Sequence, residues 1–175
     1  MNLPNKLTIL RMVLIPVFMV FLMTGFSYVA AAIFVVASLT DALDGHIARK
    51  YNLITNFGKI MDPLADKLLV TAALLCLVQL NHVAAWMVFV ILAREFLIVS
   101  LRAVAASQGI VIAASKWGKL KTISQMAAVI LLLMENWPFG WEGFPLADIV
   151  MWIAVILTIV SGVDYIVKNK DVFKG

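Results

Sequence analysis

Six apolar stretches of membrane-crossing length leave this chain few ways to fold. They lie at 5–24, 28–48, 61–80, 83–105, 117–134 and 146–167. About twenty apolar residues in a helix span a hydrocarbon core roughly 30 Å thick. The chain has 175 residues, of which 63% are hydrophobic and 14% charged. A soluble domain of this size has too much surface for its volume to hide so much apolar area. The expectation is an all-α integral membrane protein with six transmembrane helices, forming one domain over 1–175. The opening "NLPNKLTILR" reads as an N-terminal amphipathic interfacial segment that runs into the first span. It has no short apolar run followed by a small-residue cleavage site, so it is not read as a removable signal peptide.

Charge placement gives the orientation. With six spans, all 14 Lys and Arg residues fall near one side, and the loops "TGFSY", "LNH" and "ENWPFGWEGFPLAD" hold none. This positive-inside pattern puts both termini in the cytosol, in a cytoplasmic membrane. Trp137 and Trp141 sit in the longest outer loop, where interfacial indoles belong. The net charge of +4 then reflects topology, and no nucleic-acid partner is expected. The lone Cys76 excludes an intramolecular disulfide and reads as a packing residue.

Against this background, the acidic residues of "TDALDGHIARKYNLITNFGKIMDPLADKLL" stand out. Ionisable groups within spans are costly, so each is a candidate functional residue. At 100° per residue, Asp41, Asp44, Gly45 and Ala48 share one arc of about 100° near the cytosolic end of the second span. Asp62 and Asp66 are i and i+4 at the start of the third. Thr55 or Asn56 could cap that helix, and Pro63 is tolerated if it lies in the first turn. A short loop joins the two segments, so their acidic ends should meet. Four carboxylates at one depth need positive charge among them, and one or two divalent cations with oxygen ligands would supply it. The alternative is that these acids are solvated helix ends, or partners of Arg49, Lys59 and Lys67. That alternative suits Asp62, since anions favour helix N-termini. It suits Asp41 and Asp44 badly, since they lie at a C-terminal end. Gly45, Ala48 and Gly58 leave room for a flat ligand, and Arg49 could clamp a phosphate. Tight helix packing is the plainer reading of Gly45 alone.

The spacing Asp41-x-x-Asp44-Gly45-x-x-Ala48-Arg49, then eight residues, then Gly58-x-x-x-Asp62-x-x-x-Asp66 is similar to the signature of the CDP-alcohol phosphotransferases. The likeness extends along the chain through "NLPNKLTILRMVLIP", "ARKYNLITNFGKIMDPLADKLL", "AREFLIVSLR" and "GKLKT". Those stretches resemble family members whose acceptor is glycerol 3-phosphate. The resemblance implies a six-helix membrane enzyme, usually a homodimer, with a cavity open to the cytosol. It implies transfer of a phosphatidyl group from CDP-diacylglycerol to glycerol 3-phosphate with release of CMP. It further implies two divalent cations, Mg²⁺ or Mn²⁺, on Asp41, Asp44, Asp62 and Asp66, with Asp66 also the general base. Gly45, Ala48, Arg49 and Gly58, with Thr8 and Arg11 from the first span, would admit CDP-diacylglycerol.

An acceptor phosphate needs its own cations. Arg94 and Arg102 are 8 residues apart on the fourth span, within about 80° on the helical wheel. Lys116, Lys119 and Lys121 open the fifth. Together they could form a basic pocket for glycerol 3-phosphate. An intramembrane ion pair of Arg94, or positive-inside flanking by the lysines, is the plainer alternative. The same motif could serve serine, inositol phosphate, choline or phosphatidylglycerol as acceptor. A divalent-cation transporter is a rival, although its site would be expected near the bilayer midplane, in repeated broken helices. A non-catalytic lipid-binding scaffold is another, for which four acids are a poor choice beside anionic lipid.

Overall fold

A computed structural model of the chain describes the backbone at 2–50, 55–110, 112, 115–135 and 144–173, with side chains throughout except at 3, 41–50, 59, 171 and 173. Among the described residues every regular element is helical: α1 Leu3–Met23, α2 Ser27–Lys50, α3 Asn56–Gln79, α4 Ala85–Ser107, α5 Lys116–Leu133, α6 Leu146–Lys168 and a 3-10 turn, η1, Lys170–Phe173. Each expected span corresponds to one α-helix. Two of them, over Pro4–Met23 and Leu146–Lys168, are long and apolar enough to cross a membrane by composition alone, and Ser27–Thr40 is a shorter apolar stretch. Charge separates the rest from these: α4 carries Arg94, Glu95 and Arg102, and α5 carries three lysines in its first six residues. Trp137 and Trp141 lie outside the described residues.

Three of the helices, α1, α3 and α5, begin where a side chain satisfies one of their first N–H groups. Asn2 Oδ1 accepts from Asn5 N (3.1 Å), Thr55 Oγ1 from Gly58 N (3.0 Å) and Ser115 Oγ from Gly118 N (3.0 Å). Thr55 therefore caps α3, which starts five residues before the apolar stretch does. Pro63 consequently lies beyond the first turn. Lacking an N–H, it cannot bond the carbonyl of residue 59, so the ladder is interrupted between residues 59 and 63.

The chain divides into two compact units, Met1–His82 and Val83–Gly175. In the first, α1 packs along both α2 and α3. The buried residues of α1 recur at heptad spacing: Pro4, Thr8, Arg11, Ile15, Phe18 and Leu22. Thr8 and Arg11 bring polar groups into that stripe, and from Ile15 onward it is apolar. On α3 the stripe Gly58, Ala65, Leu69, Ala72 and Cys76 is buried, with half-buried Asp62 in register. Ala30, Ala31 and Ala37 from α2 and Ala72 and Ala73 from α3 let backbones approach closely. Phe18 and Phe34 fill what remains, with ring centroids 5.9 Å apart.

In the second unit, α6 packs along both α4 and α5. Its inward residues run Ala147, Met151, Ala154, Thr158, Ser161 and Tyr165. Met87, Ile91, Ile98, Leu101 and Ala105 form the matching stripe of α4. Arg94 falls in the same register. Trp86 and Trp152 meet at 5.4 Å between centroids, an aromatic pair near the N-terminal ends of α4 and α6.

Phe34 is fully buried, so Phe34→Ala should lower unfolding stability by about 3 kcal/mol. Thermal unfolding of the purified protein in detergent measures this, and a change within error would show that the Phe18–Phe34 contact does not hold the first unit together.

Candidate functional site

The polar ends of α1 and α3 are tied by hydrogen bonds. Thr8 Oγ1 donates to Asp62 Oδ1 at 2.6 Å and lies 3.1 Å from the Pro4 carbonyl. A hydroxyl has one proton, and the shorter, charge-assisted bond to the carboxylate takes the larger share of it. One turn away, Thr55 Oγ1 donates to Asn5 Oδ1 at 2.9 Å while accepting from Gly58 N at 3.0 Å. The N-terminus of α3 is thus anchored to α1 through Asn5, and Asp62 through Thr8.

Gly58 sits inside this network. A Cβ there would lie 3.3 Å from Asp62 Oδ2, 3.4 Å from Thr55 Oγ1 and 3.5 Å from Asn5 Oδ1. The bare backbone leaves the Asp62 carboxylate its position. Asp62 and Asp66 are half-buried and one helical turn apart, where side chains at i and i+4 face the same way. Neither belongs to the first turn, which holds no acid. The helix-dipole explanation of Asp62 is therefore weak, because that effect fades within the first turn. Thr8 and Arg11 are fully buried. Asp41, Asp44, Gly45, Ala48 and Arg49 belong to α2, but their side chains lie outside the description. Among the described residues no group of three or more His, Cys, Asp or Glu side chains is assembled for a metal ion.

The basic residues of the second unit do not form one cluster. Arg94 Nη1 donates to Glu95 Oε1 at 3.1 Å, and Lys121 Nζ reaches the same oxygen at 2.6 Å. Arg94 runs across two glycines: a Cβ on Gly162 would lie 3.2 Å from its Cγ, and one on Gly118 3.5 Å from Nη2. Arg102 turns elsewhere, donating from Nε to the Tyr165 hydroxyl at 2.6 Å. Lys116 and Lys119 are exposed at the start of α5, whereas Lys121 is buried. Sequence reasoning did not single out Asn5, Tyr165, Gly118 or Gly162 as neighbours of charged groups. The signal available for Gly118 and Gly162 was small residues at heptad positions in line with Lys121 and Tyr165.

Among the described residues every regular element is helical, and in the first unit Gly58 lies beside the Asp62 carboxylate. The profile of CDP-alcohol phosphatidyltransferase matches residues 1–160, and the chain belongs to that family. Its relatives carry a more particular name. CDP-diacylglycerol–glycerol-3-phosphate 3-phosphatidyltransferase of Bacillus subtilis (strain 168) is 48% identical, covering 99% of this chain and 97% of the relative. The protein of that name from Rickettsia typhi is 42% identical, covering 98% and 99%. That from Haemophilus influenzae is 39% identical, covering 97% and 94%.

Thr8→Val removes the hydroxyl at constant shape. A hydrogen bond to a charged group contributes about 1.5–3 kcal/mol, so phosphatidyltransferase turnover should fall by about tenfold to a hundredfold. Thr8→Ser should restore most of it. Unchanged turnover in Thr8→Val would show that the orientation of Asp62 does not matter.

Proposed function

We propose that this chain transfers the phosphatidyl group of CDP-diacylglycerol to glycerol 3-phosphate, releasing CMP, at the cytosolic face of the cytoplasmic membrane. The observation that carries this reading is the end-to-end similarity, 48% identity over 99% of the chain, to a relative bearing that name. The six helices cross the bilayer with both termini in the cytosol, and the chain acts as one membrane domain over 1–175 and as a homodimer. The positive-inside pattern and the family resemblance support these points.

Asp41, Asp44, Asp62 and Asp66 are the residues that would hold two divalent cations. Their donors are all oxygen, which suits Mg²⁺ or Mn²⁺. The spacing of Asp62 and Asp66, and the space kept open by Gly58 beside Asp62 Oδ2, fit such a role. By helical numbering, positions 41, 44 and 48 continue the i, i+3, i+4 sequence of buried Ala30, Phe34 and Ala37. Bound there, the cations would neutralise the pyrophosphate, polarise the phosphorus under attack and stabilise the departing CMP phosphate.

The chain's own groups do the rest. Asp66 takes the proton of the acceptor hydroxyl. Thr8 fixes Asp62 and, having no exposed surface, works behind the carboxylate; the buried Arg11 is placed in the same layer. Gly45, Ala48 and Gly58 admit the cytidine and its phosphates, and Arg49 pairs with a phosphate oxygen. Arg94 and Lys121 hold the phosphate of glycerol 3-phosphate, with Lys116, Lys119 and Arg102 adding positive potential. Transfer is a single displacement, with no covalent enzyme intermediate.

The test is CMP release by purified protein supplied with CDP-diacylglycerol and a panel of acceptors. Glycerol 3-phosphate should be the acceptor used. EDTA should abolish turnover, and Mg²⁺ or Mn²⁺ should restore it. Dominant transfer to serine, inositol phosphate or phosphatidylglycerol would overturn the acceptor, and turnover that survives chelation would overturn the metal site. Cation uptake into proteoliposomes without lipid product would favour transport instead. Arg94→Ala should raise KM for glycerol 3-phosphate by about tenfold or more while leaving KM for CDP-diacylglycerol within about twofold. Equal effects on both would point to a folding defect.

A further inference from the structure

The Arg94 side chain is held at both ends. Its Cα belongs to α4, and its Nη1 donates to Glu95 Oε1 at 3.1 Å. Between those points the aliphatic stem crosses α6 at Gly162, where an added Cβ would stand 3.2 Å from Arg94 Cγ. Carbon atoms in comfortable contact are about 3.5–4.0 Å apart, so the stem lies directly on the glycine. Apart from its chain neighbours and its own helix backbone, a Cβ at Gly162 would meet no other heavy atom of the described residues within 4 Å. The missing side chain therefore makes room for Arg94 and not for a neighbouring backbone. Arg94 Nε is buried and has no hydrogen-bond partner among the described residues. Nη2 ends beside Gly118 of α5, 3.5 Å from the place of its absent Cβ. The side chain is only 13% exposed, and a buried donor without an acceptor is costly.

We propose that Gly162 is a positioning residue for the acceptor's phosphate. By carrying no side chain it lets the Arg94 stem rest on α6, and so fixes where the guanidinium offers Nε and Nη2 to phosphate oxygens. A methyl group at 162 has to push Cγ aside. Because Cα is fixed in α4, the side chain answers by turning about its own bonds, and the displacement grows toward the guanidinium. Phosphate recognition by arginine depends on the direction of its N–H groups as well as on charge, so a turned guanidinium keeps its charge but loses its aim. Gly162 acts only through Arg94, and this inference rests on the reading of Arg94 as a residue of the acceptor site.

The test is Gly162→Ala in the full chain, assayed in detergent by CMP release. Alanine favours the helix over glycine, so the variant should fold. KM for glycerol 3-phosphate should rise by about tenfold, within the range that misplacement by about 1 Å costs. KM for CDP-diacylglycerol and kcat should stay within about twofold. In an Arg94→Ala background the same change should add nothing, because the methyl then has no stem to push. A role in helix packing alone predicts the reverse, with the same loss in both backgrounds and no split between the substrates. An unchanged KM for glycerol 3-phosphate, equal effects on both substrates, or an undiminished effect in the Arg94→Ala background each overturns the proposal. If Gly162→Ala does not fold, removal of the stem decides: Gly162→Ala with Arg94→Ala should fold as Arg94→Ala does, and failure to do so overturns the proposal. Should Arg94→Ala leave KM for glycerol 3-phosphate unchanged, the acceptor reading falls and takes this inference with it. A raised KM in Arg94→Ala without one in Gly162→Ala removes the role of Gly162 alone.

Discussion

A charged group set among apolar helices must find a partner within reach of its own side chain, because neither lipid tails nor packed aliphatic residues can solvate it. That constraint organises this molecule more than any single hydrophobic contact. In the first unit it appears as Thr8 donating to Asp62 at 2.6 Å. In the second it appears as Glu95 shared between Arg94 and Lys121. Each solution uses the same stripe of residues that builds the core, so binding chemistry and packing are not separate layers. Thr8 and Arg11 sit below Ile15 and Phe18 on one face of α1, and Arg94 sits between Ile91 and Ile98 on α4.

The two units differ in how they use charge. The first concentrates acids around small residues and fixes them with neutral donors. Thr8, Thr55 and Asn5 add no charge, so they orient Asp62 and the start of α3 without cancelling the negative potential that would draw a cation. In the second, Glu95 is shared between Arg94 and Lys121, and Asp164 pairs with Lys168. Two buried cations without a counter-charge would be costly. Glu95, bonded to both Arg94 and Lys121, reduces that cost. The family to which the chain belongs transfers phosphate-linked groups, and both arrangements suit anionic substrates handled next to a membrane.

Three glycines lie where an added side chain would crowd a charged group. Gly58 keeps a side chain off Asp62, and Gly162 and Gly118 keep side chains off Arg94. A helical glycine costs roughly 1 kcal/mol relative to alanine. At Gly58 the cost is offset by a carboxylate held at hydrogen-bonding distance from Thr8, and by a cap that Thr55 completes. Pro63 interrupts the backbone ladder of α3 on the same stretch, so the helix around Asp62 and Asp66 is shaped by several residues that are poor helix formers.

From the sequence alone, the helical architecture, the boundaries of most helices and the acidic motif were legible, because each depends on local periodicity and residue spacing. The i, i+4 placement of Asp62 and Asp66 follows from 3.6 residues per turn, whatever surrounds them. The capping of α3 by Thr55 was open to anticipation, and by counting it puts Pro63 eight residues on, beyond the first turn. Only the tertiary structure decided which polar groups meet. Arg94 and Arg102 share a face in sequence, yet Arg94 pairs with its neighbour Glu95, which also takes Lys121 from α5, while Arg102 turns to Tyr165 of α6. Thr8 reaches Asp62 across 54 positions of chain, and no local pattern encodes a contact between side chains that far apart.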